Sequence, residues 1–163
     1  MAKTKTVAMT GFLEYARVFP ENMDNGEFHE ATEGQFNVNF YPETEADFDA
    51  FFENGAPTSS MGHDTIKLGR DFGMGKFLKL KRPNKHRSGI EDFGGAPAVF
   101  DFTNGESTKR WTFEDGELGN GTKAVVKVSI YGEGARASIR LEKIAVLEHV
   151  EFDGAPTETM DKF

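Results

Sequence analysis

Residues Lys123–Tyr131 read Lys-Ala-Val-Val-Lys-Val-Ser-Ile-Tyr, with an apolar side chain at every second position. This period of two is typical of a β-strand that buries one face. After Gly132-Glu133-Gly134, a second alternating run extends over Ala135–Val150, and its apolar positions change from odd to even numbers near Lys143. The sequence therefore predicts two long strands joined by a tight turn, with a β-bulge near Lys143.

Other segments alternate in the same way or are rich in β-branched and aromatic residues, which favour strands. They are Thr4–Phe19, Phe36–Tyr41, Phe77–Lys81 and a hairpin of Ala98–Phe102 with Lys109–Phe113. In the first of them we expect a bend or bulge near Gly11, because glycine inside a strand often marks a bend.

The segment Thr44–Glu53 is the one predicted helix. Its Phe48, Phe51 and Phe52 follow the i, i+3, i+4 spacing of a buried helix face, and Thr44 can cap the first turn. Many strands around one short helix are typical of a small closed barrel. The predicted fold is all-β: an OB-fold, which is a five-stranded antiparallel barrel, with one short inserted helix. A β-sandwich is the alternative.

The length of 163 residues fits one domain that can bury a sizeable core. We expect a folded domain over residues 1–150 and a mobile acidic C-terminal tail over residues 151–163, because the tail residues are small, polar and acidic. The sequence has no run of about 20 apolar residues that could cross a bilayer, and its start lacks the apolar core of a signal peptide. A cytoplasmic protein is predicted.

The residue patterns that carry most enzyme chemistry are missing. No cysteine is present, which excludes thiol catalysis and cysteine-based metal sites. The four histidines show no metal-ligand spacing, and acidic pairs such as Asp47 with Asp49 arise readily by chance among 27 acids. The sequence therefore predicts no catalytic residues, no metal, no cofactor and no enzyme activity.

The stretch Gly75–Gly89 contains six lysines and arginines and no acid, in a chain of formal net charge -8. Alternation places Phe77, Lys79 and Lys81 on one face of the predicted strand. A ring with two ammonium groups on an exposed face suits single-stranded nucleic acid, because the ring stacks on bases and the cations contact phosphates. A solvated edge strand, whose lysines prevent pairing with another sheet, is the alternative.

The candidate DNA-binding residues are aromatic or basic side chains on the predicted outer faces or in the basic loop. They are Phe77, Lys79, Lys81, Arg82, Lys85 and Arg87 in the basic stretch, Lys123, Lys127 and Tyr131 on a neighbouring strand, and Trp111 and Tyr41. For Trp111 and Tyr41, packing in the core is the alternative to stacking on DNA.

The run Lys123–Val150 resembles the last two barrel strands of the single-stranded-DNA-binding proteins of short-tailed phages. Three other features agree with the resemblance: the opening Met-Ala-Lys, the strand Phe36–Tyr41 leading through Pro42 into a helix, and an acidic end at Phe163. The resemblance implies an OB-fold that binds single-stranded DNA without sequence preference in phage DNA replication, recombination and repair. It also implies a possible homodimer.

Residue by residue, the resemblance implies DNA contact by Lys3 and base stacking by Tyr131. It implies that the tail, with Asp161 and Phe163, recruits replication proteins and competes with DNA for the groove. This chain departs from the family in the short loop Gly132-Glu133-Gly134, where the family has a longer loop with a tryptophan. The alternative function is a non-enzymatic phage structural or protein-interaction module.

Overall fold

The computed structural model describes residues 4–23, 34–63, 76–85, 94–103, 105, 109–119, 121–132 and 136–150. Its strands are β1 (Lys5–Arg17), β2 (Gln35–Pro42), β3 (Met61–His63), β4 (Lys76–Pro83), β5 (Ala98–Asp101), β6 (Lys109–Arg110), β7 (Thr122–Tyr131) and β8 (Ser138–Glu148). One α-helix, α1 (Glu45–Glu53), follows β2, and 3-10 turns lie at Pro20–Asn22, Thr58–Ser60 and Phe113–Asp115.

The eight strands form one sheet in the order β3-β4-β2-β1-β7-β8-β5-β6. Neighbouring strands are antiparallel except β5, which runs parallel to β8. The sheet curls until β4 lies beside β8. Among the described residues, however, no backbone ladder joins those two strands, and we call this gap the seam.

The predicted five-stranded closed antiparallel barrel is therefore wrong in strand number and in closure. The five longest strands follow the order β4-β2-β1-β7-β8, which is the path of a partly open barrel of the OB type. Three short strands extend this path at its two edges. Two of them, β5 and β6, form the hairpin predicted from the sequence.

Alternate residues of the long strands enter one hydrophobic core. The largest of them are Leu13, Phe40, Leu78, Leu80, Leu141 and Ile144. Burial of each such side chain contributes roughly 1.5–3 kcal/mol. The helix α1 adds Phe48 and Phe51, and the Thr44 hydroxyl accepts a hydrogen bond from the Asp47 amide at 3.2 Å. The predicted helix and its cap are confirmed.

Two strands contain irregularities that matter below. In β8, Leu141 pairs with Val128 and Lys143 pairs with Lys127, so Glu142 is an extra residue. This bulge confirms the one predicted near Lys143. In β1 the shift lies between Glu14 and Arg17, where Tyr15 has a φ of 53°. The bulge predicted near Gly11 is wrong, because Gly11 lies in a regular part of the strand.

The strand β3 was not predicted, because three residues are too few to show an alternation. It pairs with the start of β4, so that Gly62 lies opposite Phe77. The predicted hairpin after residue 97 is confirmed as β5 with β6. No helix among the described residues is long and apolar enough to span a membrane. The tail 151–163 lies outside the described residues.

Candidate nucleic-acid interface

The outer faces of β2 and β4 carry a row of amides beside a row of lysines. Asn39 pairs with Lys79, and Asn37 pairs with Lys81, so each amide is next to an ammonium group. Both lysines are exposed, whereas Leu78 and Leu80, which alternate with them, are buried. The predicted outward positions of Lys79 and Lys81 are confirmed.

This face forms one wall of an open cleft of about 440 Å³, which we call the β4 groove. The opposite wall lies across the seam, at Ala137, Ser138 and Ile139, and the turn after α1 closes one side. Besides the two lysines, the polar side chains of its lining are amides and serines: Gln35, Asn37, Asn39, Ser59, Ser60 and Ser138. None of the described lining residues is acidic.

The two groove lysines have no acidic partner in the described part of the chain, because neither Lys79 nor Lys81 has a carboxylate there at ion-pair distance. The whole protein has a net charge of -8, so most of its surface repels a polyanion. Two available ammonium groups among neutral hydrogen-bonding side chains therefore make the groove a local site for phosphates.

Arg82, predicted to contact DNA, is instead part of the structure's interior, and that prediction is wrong. Its residue is only 7% exposed, because alternation along β4 places it on the inner face with Leu78 and Leu80. Its guanidinium donates hydrogen bonds to the carbonyls of Gly94 (3.0 Å) and Gly95 (2.8 Å).

The same guanidinium crosses the seam. It donates to the Leu141 carbonyl at 3.4 Å and forms an ion pair with Glu142, the bulged residue of β8. Arg140 and the Ser129 hydroxyl also donate to the Glu142 carboxylate. Side-chain contacts centred on Glu142 thus join β4 to β8 where no backbone ladder does.

This environment shifts the ionisation of Glu142. Burial by itself raises the pKa of a carboxyl group. Here the hydrogen bonds from Arg140 and Ser129 and the positive charges of Arg140 and Arg82 lower the pKa by more than burial raises it. The pKa of Glu142 is therefore held below its ordinary value. Glu142 remains a carboxylate at neutral pH and keeps both arginines paired.

Phe77 lies on the outer face, as predicted, but its ring is half-buried. The ring centroid is 5.2 Å from that of Tyr41, and a Cβ atom at Gly62 would overlap the ring. For Tyr41, which was predicted either to stack on DNA or to pack in the core, the packing alternative agrees with the structure: the residue is 1% exposed and its hydroxyl donates to Glu14 Oε1 at 3.1 Å. Phe77 packs beside the Tyr41 ring, which therefore has no face open for a base.

Tyr131 remains a candidate for stacking at the end of the groove. It is half-buried and pairs across the strands with Ser138, which lines the groove. The guanidinium carbon of Arg140 lies 5.3 Å from its ring centroid. One side of the Tyr131 ring is thus held by a cation, which fixes its orientation next to the groove.

The predicted lysines on β7 lie away from the β4 groove. Lys123 is 3.0 Å from Glu43 and 4.0 Å from Glu148, and its hydrogen bond and attraction to Glu43 raise its pKa. Its charge is thereby neutralised. Lys127 is exposed, but it pairs with Lys143 on a different part of the sheet.

The remaining predicted residues divide into one exposed lysine, one packed ring and several outside the described residues. Lys85 is exposed just beyond the end of β4. Trp111 is half-buried, its Nε1 donates to the Gly116 carbonyl at 2.9 Å, and its ring lies 4.7 Å from that of His149. The packing alternative therefore holds for Trp111. Lys3, Arg87, Asp161 and Phe163 lie outside the described residues.

The sequence reasoning did not select the amides, although their alternation with Phe36 and Val38 was visible. Tyr15, which is 57% exposed beside the bulge of β1, was not selected either, but it lines a separate depression with Asn22 and Leu118 and not the groove. Its exposure follows from the bulge, which no local pattern reveals. Among the described residues, no group of three or more histidines and acids could hold a metal ion.

Comparison with known proteins places the fold among phage single-stranded-DNA-binding proteins. No family profile and no curated protein sequence matches the chain. The single-stranded DNA-binding protein from bacteriophage Enc34 in complex with ssDNA matches with a TM-score of 0.59 and 12% identity, over 93% of this chain and 89% of that one. A second structure of the Enc34 protein matches with a TM-score of 0.56 and 11% identity, over 98% of this chain and 89% of that one.

A C-terminal truncation of the Enc34 protein is also similar, with a TM-score of 0.52 and 9% identity, over 91% of this chain and 87% of that one. At these identities the likeness establishes a shared fold. The overlap spans nearly the full length of each chain.

Proposed function

We propose that this protein binds single-stranded DNA without base preference through the β4 groove. The observation that carries the proposal is the exposed pair Lys79 and Lys81, which lies beside Asn37 and Asn39 in a cleft without acidic lining, within an acidic protein. The outer face of the second and third barrel strands is where OB-folds hold oligonucleotides. The DNA-bound state of the Enc34 protein, which shares the fold, supports the same use of this one.

The chemistry of the groove favours the backbone over the bases. Ammonium groups on flexible side chains contact phosphates of any sequence, and each such contact on a single strand adds about 0.7 to the salt slope. Rings at the groove end, such as Tyr131, stack on any base with roughly 1–3 kcal/mol for each base. The groove therefore selects for a single strand, because only unpaired bases expose their faces.

The direct test is a titration of fluorescently labelled oligo-dT, followed by anisotropy at two salt concentrations. An external label is needed because Trp111, the single tryptophan, is packed against His149 and reports poorly on the groove. We expect tight binding that weakens with salt, similar binding to mixed-sequence oligonucleotides and weak binding to duplex DNA. Absence of binding at low salt would reject the proposal and leave the interaction module as the better reading.

We further propose that the protein acts non-enzymatically in the cytoplasm of a phage-infected cell, in DNA replication, recombination or repair. In this proposal the acidic tail 151–163 recruits replication proteins through Asp161 and Phe163, and two copies form a homodimer. The support is compositional: four acids and one lysine in that segment repel DNA and suit a basic partner surface. Deletion of residues 151–163 tests it, since the shortened protein should keep its fold and lose partner binding.

A further inference from the structure

A second aromatic and basic surface lies on the outer face of the opposite half of the sheet. Here Val125 of β7, Ala145 of β8, Phe100 of β5 and Arg110 of β6 follow one another across four strands. Val125, Ala145 and Phe100 line a depression of about 330 Å³ together with Phe102, Lys127 and Lys143, and Arg110 lies next to it over the Phe100 ring. We call this surface the β5 patch. None of its residues lines the β4 groove.

The cations of the β5 patch are arranged in a way that the isolated fold does not favour. Lys127 and Lys143 are directly opposite each other on neighbouring strands, and both are exposed. Like charges in this position repel and destabilise a sheet. Neither lysine has a carboxylate at ion-pair distance in the part of the chain that the structure describes. An anion placed between them would remove the repulsion.

The floor between these cations is apolar and aromatic. Phe100 and Phe102 are both partly exposed, and the guanidinium carbon of Arg110 lies 5.2 Å from the Phe100 ring centroid. An apolar partner alone would gain nothing from three surrounding cations. Flat rings with cations at their edge instead match a nucleotide, whose base stacks while its phosphate is neutralised.

The β5 patch and the β4 groove lie along the same strand. The outer side of β8 carries Ser138, which lines the groove, and Lys143, which lines the patch. Their partners on β7 are Tyr131 and Lys127, four residues apart, so the two positions are separated by about 13 Å. Between them lie Arg140 and Glu142, which pair with each other, so this part of β8 presents no unpaired acid among the described residues.

We propose that the β5 patch is a second subsite for single-stranded DNA. A DNA strand that is long enough to leave the β4 groove reaches it by following β8. This inference rests on the proposed function, because it requires the groove to hold the first nucleotides. One OB-type domain covers roughly 4–16 nucleotides, which accommodates both surfaces. Bases stack on Phe100 and Phe102, and phosphates lie between Lys127 and Lys143.

The test compares oligo-dT of about 6 and about 20 nucleotides, bound to wild type and to the double variant Lys127→Ala/Lys143→Ala. We expect the variant to bind the short oligonucleotide like wild type. We expect it to bind the long one on the order of 20-fold more weakly at about 0.1 M salt, with a salt slope shallower by about 1.4. The variant should unfold at the same or a slightly higher temperature, because a repulsion is removed.

Two controls separate the outcomes. Lys5→Ala removes an exposed lysine that lines neither surface and should change nothing. The double variant Lys79→Ala/Lys81→Ala should bind both oligonucleotides more weakly than wild type. If wild type binds DNA and the patch variant matches it at both lengths, the second subsite is rejected while the proposed function stands. If wild type binds neither oligonucleotide, the proposed function itself fails. Loss of self-association with unchanged DNA affinity would make the patch an interface between copies and overturn the proposal.

Discussion

The two faces of β4 hold cations in opposite circumstances. On the inner face, Arg82 is buried, fully engaged by backbone carbonyls and paired with Glu142 across the seam. On the outer face, Lys79 and Lys81 are exposed among neutral side chains. Lys81 and Arg82 are adjacent in sequence, and only the alternation of the strand separates their environments.

The comparison shows that position in the pleat decides what a positive charge does. A buried arginine contributes through the contacts it satisfies, and removing it leaves a carboxylate and several carbonyls short of donors. An exposed lysine contributes little to the fold and remains available to a ligand. Stability should therefore respond to the inner cation and DNA affinity to the outer ones.

The largest expected effect is the loss of stability on replacing the inner cation. Arg82→Met should lower the free energy of unfolding by roughly 1–3 kcal/mol, because it removes the donor to three backbone carbonyls, while Glu142 keeps Arg140 and Ser129 as partners. Urea unfolding followed by circular dichroism measures it. The matched control is Lys81→Met on the outer face, which should change stability by less than about 0.5 kcal/mol. Equal losses in the two variants would remove the distinction between the faces.

The second-largest expected effect is on the affinity for single-stranded DNA. Lys79→Ala/Lys81→Ala should weaken oligo-dT binding on the order of 20-fold at about 0.1 M salt and make the salt slope shallower by about 1.4, because two phosphate contacts are lost. Anisotropy titrations measure both quantities. Lys79→Arg/Lys81→Arg keeps the charge and should keep the affinity. A drop in thermal stability of the alanine variant would indicate a structural role for these lysines instead.

A smaller loss of stability is expected on replacing Tyr41, whose ring is buried. Tyr41→Phe removes the hydrogen bond to Glu14 and should cost about 1.5 kcal/mol of stability. It should leave DNA affinity unchanged, because Tyr41 has no exposed face. Thermal unfolding and the same titration check the two parts. Weaker DNA binding with unaltered stability would restore Tyr41 as a stacking residue.

The smallest expected effect is a pH dependence of the seam. Because the pKa of Glu142 is lower in the folded protein, its ionised carboxylate stabilises the fold. This contribution is complete at a pH above 4.5, the ordinary pKa of the group, and is lost as the pH falls through the lower folded-state pKa. Protonation removes the charge but leaves some hydrogen bonds, so the effect is smaller than that of Arg82→Met. Urea midpoints of wild type and Glu142→Gln should differ most at neutral pH and converge in acid. A constant difference would contradict the assignment.

The sequence was sufficient for features that depend on neighbours along the chain. Strict alternation gave β2, β4, β7 and β8, and the change of parity near Lys143 gave the bulge, because both patterns reflect the period of one strand. The cap at Thr44 was predictable for the same reason. Even the inner position of Arg82 follows from its alternation with Leu78 and Leu80. Its positive charge and the basic loop after it suggested an exposed, DNA-contacting residue instead.

Features that depend on distant segments were not predictable. The second wall of the groove at Ser138 and the pairing of Arg82 with Glu142 arise only when β4 comes to lie beside β8. The burial of Tyr41 requires Phe77 from another strand to pack beside it. The β5 patch likewise needs β5 to pair in parallel with β8, which no local pattern indicates. The sequence shows which residues are charged, but the topology determines which of them come into contact.

The seam has one further consequence for the groove that straddles it. Its two walls belong to strands held together by one arginine and one carboxylate, with no backbone ladder among the described residues between β4 and β8. The width of the cleft at the seam is therefore set by side-chain contacts and not by a backbone ladder. The proposed binding without base preference needs a cleft that admits purines and pyrimidines alike, so it depends on these few side chains.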